Sequence, residues 1–125
     1  MKQEEKELLI KDFCARLPYG VKVRHEHLSK IGILYDISMC GDITIDYSTY
    51  NHFGNINDTK PYLFPLSSMT EEQKRIYNSI CNMNGWDMSF CEAQELIDWI
   101  NANHFDYRGL IEKGLALDAT NLNIY

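Results

Sequence analysis

"KIGILYDISMCGDITIDY", Lys30 to Tyr47, is the stretch whose reading decides the fold. Apolar side chains fall at Ile31, Ile33, Tyr35 and Ile37, and again at Ile43, Ile45 and Tyr47, so each half alternates with the period of a half-buried strand. Between the halves, "MCGD" supplies a glycine for a tight connection. Upstream, "VKVRHEH" repeats the alternation, with Val21, Val23, His25 and His27 on one face and Lys22, Arg24 and Glu26 on the other. Three such strands in succession predict an antiparallel meander. Its wet face carries Asp36 and Asp46, and its dry face needs a cover.

The cover comes from the flanks. From Gln3 to Arg16, Leu9, Ile10, Phe13, Cys14 and Leu17 form a helical stripe, and Pro18 and Gly20 end it. After Tyr47, the twelve residues Ser48 to Thr59 show no period and read as the longest loop. "KPYLFP" follows. Pro61 and Pro65 each lack an amide proton and push the preceding residue toward extended geometry, which predicts an edge strand or a polyproline-like bridge. "SSMTEEQ" offers two capping boxes, Ser68 with Glu71 or Thr70 with Gln73, opening a helix with Ile76, Tyr77, Ile80 and Cys81 on one face and an end near Gly85. A third helix starts at the box from Ser89 to Glu92 and turns Phe90, Ala93, Leu96, Ile97 and Ile100 to one side, with His104 continuing that face and Trp99 at its border. Asp106 is placed to cap a short turn through Ile111, which Gly114 ends.

The predicted fold is therefore α+β: a single domain over residues 1–125, with a three- to four-stranded antiparallel sheet packed against about three helices, the two longer ones on one face. At 125 residues a single core is expected, and the 45% apolar share suffices to build it. The formal charge of −6, with scattered basic residues, disfavours binding to nucleic-acid phosphates or anionic lipid. The first seven residues are too charged for a signal peptide or membrane span, so a cytoplasmic location without membrane contact is expected. Cys14, Cys40, Cys81 and Cys91 stand far apart, and each is expected as a small buried hydrophobe rather than half of a disulfide.

Three blocks, "LPYGVKV" (Leu17 to Val23), "KPYLFPLSSMTEE" (Lys60 to Glu72) and "NHFDYRGLIEKGLALDA" (Asn103 to Ala119), cover about a third of the chain. In them the chain resembles a family of short uncharacterised proteins of gut bacteria and their phages or mobile elements. Phe64 and Asn103 depart from that wording, where relatives often carry Arg and His. The resemblance implies mobile-element biology and no particular chemistry.

Candidate chemistry is sparse. His25 and His27 have the spacing of two metal ligands on one strand face, but no third ligand is evident. Cys81, Cys91 and His104 match no zinc finger or ribbon. His104, Asp106, Tyr107 and Arg108 crowd into "NHFDYRG", where an Asp-oriented His could act as a base and an Arg could hold an anion. The plainer roles are a core histidine, a helix cap and the partner of a surface acid. No serine-nucleophile elbow, phosphate-binding glycine loop or paired-histidine zinc helix is present. The leading expectation is thus a non-catalytic protein that binds an unidentified protein partner, without cofactor or metal. Tyr62, Phe64, Trp99, His104, Asp106, Tyr107 and Arg108 form its candidate surface. A small metal-assisted hydrolase or nuclease and an acidic inhibitor of a nucleic-acid-binding defence enzyme are the alternatives.

Overall fold

The computed structural model describes residues 1–81 and 90–125. The predicted stop near Gly85, the capping box from Ser89 to Glu92 and the side chains of Cys81 and Cys91 lie outside the described residues. Helix α1 (Gln3–Arg16) leads into strands β1 (Lys22–His25), β2 (Ile31–Ile37), β3 (Asp42–Asp46), β4 (Asn51–Asn55) and β5 (Thr59–Pro65). Helices α2 (Glu71–Cys81) and α3 (Phe90–Ala102) follow, then two short strands, β6 (Phe105–Asp106) and β7 (Leu117–Asp118).

The fold class is α+β as expected, but the sheet is larger and mixed. Its connected order is β4-β3-β2-β1-β5-β6, and β7 also pairs with β5. The first five strands pair antiparallel, whereas β6 and β7 join β5 in parallel. Parallel pairing needs a crossover, and α2 with α3 supplies it between β5 and β6.

Several expectations are corrected, three of them in the layout of the chain. The predicted loop Ser48 to Thr59 contains β4 and a single 3-10 turn, Ile56–Asp58. "KPYLFP" is not an edge strand: β1 pairs with it over Thr59–Pro61 and β7 over Tyr62–Leu63, on opposite flanks. The Glu26 N–H donates to the Asp58 carbonyl at 2.7 Å, so residues 58 and 60 face β1 while the Pro61 nitrogen faces away from it. The missing amide proton therefore removes no rung from that ladder. The third correction concerns the cover. Helix α1 lies over the inner face of the sheet, while α2 and α3 pack on each other and reach the sheet at β6.

The inner face is built on Val21, Val23, Leu34, Ile43, Ile45 and Tyr47, with Leu9 and Phe13 of α1 above them and Leu63, Leu110, Leu115 and Ala116 closing the end. In β2 the expected parity is reversed: Gly32 and Leu34 point inward, and Ile31, Ile33 and Tyr35 point out. Gly32 is required inside because a Cβ there would stand 2.3 Å from Ile45 Cγ2 and 2.9 Å from the Tyr47 ring. A bulge between Leu34 and Asp36 then restores Ile37 to the inner side, opposite Ile43. In α1 the buried stripe is Leu9, Asp12, Phe13 and Arg16, so an ion pair occupies the place expected for Ile10 and Cys14, and Cys14 is exposed. Cys40, in the turn after β2, is exposed as well. Of the two possible boxes for α2, Thr70 with Gln73 forms, at 2.8 and 3.1 Å, and Ser68 bonds instead to the Pro65 carbonyl.

Candidate functional site

His104 closes α3. Its N–H reaches the Asn101 carbonyl at 3.1 Å, and its backbone takes φ +62, a left-handed cap geometry that glycine or asparagine usually supplies. The side chain is buried, and its ring stacks on Tyr125 with centroids 3.7 Å apart. Burial, aided by the charges of Arg16 and Lys22, lowers its pKa to about 4, so the imidazole is neutral near pH 7. The Tyr125 hydroxyl accepts the Lys22 N–H at 2.8 Å and donates to the Tyr62 carbonyl at 2.7 Å. It stands where the β1–β5 ladder would have its next rung, and burial raises its pKa.

Asp106 accepts the N–H groups of Leu110 and Ile111, both at 2.9 Å, and so caps the turn as the sequence predicts. Arg108 turns elsewhere. Its Nε donates to Asp12 Oδ1 at 3.1 Å, and its Nη2 donates to the Tyr107 hydroxyl at 2.8 Å. The acid it meets is buried rather than on the surface. The other Asp12 oxygen takes Arg16 Nε at 2.9 Å, and Arg16 Nη2 donates to the Phe105 carbonyl at 2.6 Å. Burial pushes the Asp12 carboxyl above its usual value, against the pull of both guanidiniums. This buried trio ties α1 to the Phe105–Arg108 segment.

Of the seven residues nominated from the sequence, Tyr62, Phe64, Trp99 and His104 meet Phe105 or Tyr125, while Asp106 caps its turn and Tyr107 and Arg108 turn toward α1. Tyr62, His104 and Asp106 are buried, and Phe64, Trp99, Tyr107 and Arg108 are half-buried. Phe64 lies against Phe105 and Tyr125, Trp99 against Phe105 and Tyr77, and Tyr107 beneath Arg16 and Arg108. The imidazole, carboxylate and guanidinium tips go to three different partners, and no common point receives them.

A second cluster was only half legible. His25 and His27 are joined by His52 of β4, whose ring meets His25 edge-on at 4.6 Å, while the His27 ring stands at 5.6 Å. His25 Nδ1 accepts the His27 N–H at 3.2 Å, which leaves only Nε2 for any other bond. Burial first, and His52 second, lower the His25 pKa. Among the described residues, no group of three His, Cys, Asp or Glu side chains is placed to hold a metal ion.

What the molecule does offer is an open face. On the outer side of the sheet, Ile31, Ile33, Tyr35 and Phe53 are 39%, 42%, 66% and 78% exposed. Two hollows flank this set. One, of about 400 Å³, is lined by Lys22, Ile31, Ile33 and Asp46 among others; the second, of about 460 Å³, by Asp36, Thr44 and Phe53. A third cleft, of about 500 Å³ beside β5, is lined by Glu5, Arg24, Glu26, Asp58, Lys60 and Lys113 among others, acids and bases in balance. Among the described residues, no helix is long and apolar enough to cross a membrane.

Fold and site thus define a mixed α+β sheet protein with Ile31, Ile33, Tyr35 and Phe53 exposed on one side of its sheet. No protein-family model, curated protein or solved structure matches the chain.

Proposed function

We propose that the protein is a non-catalytic interaction protein acting in the cytoplasm, an accessory factor of a phage or mobile element that binds another protein through the outer face of its sheet. One observation carries the reading: Ile31, Ile33, Tyr35 and Phe53 are large apolar side chains left exposed on the outer side of the sheet. Exposed apolar side chains grouped on one face mark contact surfaces more often than isolated ones do. Among the titratable residues that sequence reasoning raised for catalysis, His25, Asp106 and Arg108 each hold an internal hydrogen bond and His104 stacks on Tyr125, which supports it too. The resemblance in "LPYGVKV", "KPYLFPLSSMTEE" and "NHFDYRGLIEKGLALDA" supplies the mobile-element setting.

A photo-crosslinking residue at position 35, compared with one at the exposed Glu112, tests this in lysate of the source cells. The expected result is a discrete protein adduct from position 35 and none from 112. Equal labelling from both sites, or hydrolase turnover abolished by His104→Asn, would overturn it.

A further inference from the structure

The outer face ends at β4, and the free edge of that strand is where the structure points to a partner. Within the β3–β4 ladder, the Tyr47 N–H donates to the Tyr50 carbonyl at 3.0 Å and the Ile56 N–H to the Gly41 carbonyl at 2.8 Å. Antiparallel ladders alternate, so residues 50, 52, 54 and 56 face β3, and the backbone groups of Asn51, Phe53 and Asn55 point outward. Among the described residues nothing pairs with this edge, apart from the Thr59 hydroxyl that bonds to the Asn55 carbonyl. Protected edges carry lysine, proline, a bulge or an inward charge. "NHFGN" has none of these, and its ladder to β3 runs without a shift of register.

Resting on the reading above, we propose that this edge takes a second copy of the same chain, with the two β4 strands antiparallel about a twofold axis through Phe53. The strand is self-complementary in that register. Asn51 falls opposite Asn55 of the partner, His52 opposite its Gly54, and Phe53 opposite its own counterpart, as an isologous contact requires. The same register sets the outward N–H and C=O of residues 51, 53 and 55 against outward groups of the other strand, the Asn55 carbonyl having a second lone pair beside the Thr59 hydroxyl. His52 meets a glycine, which leaves room for its ring. No carboxylate or ammonium lies on β4, so the −6 charge of each chain does not concentrate at the seam. The twofold axis runs through the sheet, so the outer faces of both copies end on the same side. Ile31, Ile33, Tyr35 and Phe53 of each then lie on one side of the joined sheet, with Thr44 and Asp46 between Phe53 and the β2 residues. A five-residue seam is a small interface, and the expected affinity is that of a transient contact.

Sedimentation velocity of the full chain across the micromolar range tests the proposal. The mass should rise from monomer to dimer with concentration. Phe53→Lys, which sets two ammonium groups face to face, should weaken association about tenfold or more. Asn51→Pro removes only an outward N–H, and it should weaken association without loss of the folded circular-dichroism spectrum. Ile33→Lys, on the same face but away from the edge, should leave association unchanged. A wild-type chain that stays monomeric throughout, or a dimer indifferent to both edge variants, overturns the proposal. If a monomeric chain still crosslinks to a different protein from position 35, self-pairing fails while the interaction reading stands.

Discussion

Leu34 and Tyr35 are neighbours on one strand with opposite surroundings. Leu34 is 2% exposed under α1, where Val23, Ile43 and Ile45 meet it; Tyr35 is 66% exposed on the far side, in company with Ile31, Ile33 and Phe53. Both faces of the sheet carry large apolar side chains, though the outer one interleaves them with Lys22, Arg24, Asp36, Thr44 and Asp46. Their apolar residues differ in what lies over them: Leu9 and Phe13 of α1 join the inner set in one cluster, while Ile31, Ile33, Tyr35 and Phe53 of the outer set are each at least 39% exposed. Apolar content therefore does not distinguish core from contact surface. Exposure does, and on the proposed reading the exposed outer set is where a partner docks.

The comparison breaks most sharply with paired truncations. Leu34→Ala should cost about 2–5 kcal/mol of unfolding free energy in urea titration, since it opens a cavity beneath α1. A similar loss from Tyr35→Ala would mean that the outer face is core.

Acid should act next, on two buried imidazoles. The folded pKa values of His25 and His104 lie below their ordinary value, so the unfolded chain binds more protons as pH falls. The stability these groups confer is complete above pH 6.5 and is lost as pH drops from there toward about 4, the folded value of His104. For His104 alone the loss is bounded at about 3 kcal/mol. Asp12, raised by burial, pulls the other way at the acid end, so the difference between wild type and His104→Asn isolates the imidazole. A pH profile unchanged by His104→Asn would contradict its burial.

Gly32→Ala sharpens the contrast further. Its added carbon meets Ile45 and Tyr47, and about 1–3 kcal/mol should be lost through overpacking. The smallest effect belongs to the outer face: Tyr35→Ser should leave stability within about 0.5 kcal/mol of wild type, measured in the same titration.

How much of this was legible in sequence differs from element to element. Helix α1, the first three strands and the box at Thr70 are written in local periodicity and capping chemistry, and the structure keeps them. The orientation of β2 is not, because its inward side is half glycine: Ile31, Ile33 and Tyr35 outvote Gly32 and Leu34 in any count of apolar residues. Strand β4 is Asn-His-Phe-Gly-Asn, which has weak strand preference and no alternation, so the β3 ladder that defines it gives no local signal. The two-residue strands β6 and β7 exist only through parallel pairing with β5.

At the candidate site, the cap role of Asp106 and the burial of His104 follow from their places in the pattern. The Asp12–Arg16–Arg108 trio does not, for hydropathy places Asp12 and Arg16 in water. Their i, i+4 spacing on α1 was the only trace of it. His52 lies on β4 and shares its lack of local signal.

The most direct measurement is backbone amide hydrogen exchange by NMR at Asn51 and Phe53 as a function of protein concentration. If the open edge is a contact surface between copies, exchange at these two amides slows as concentration rises, while the amide of His52, already bonded to β3, keeps its rate. Fast exchange at Asn51 and Phe53 at every concentration, with no dimer in sedimentation, would contradict the account.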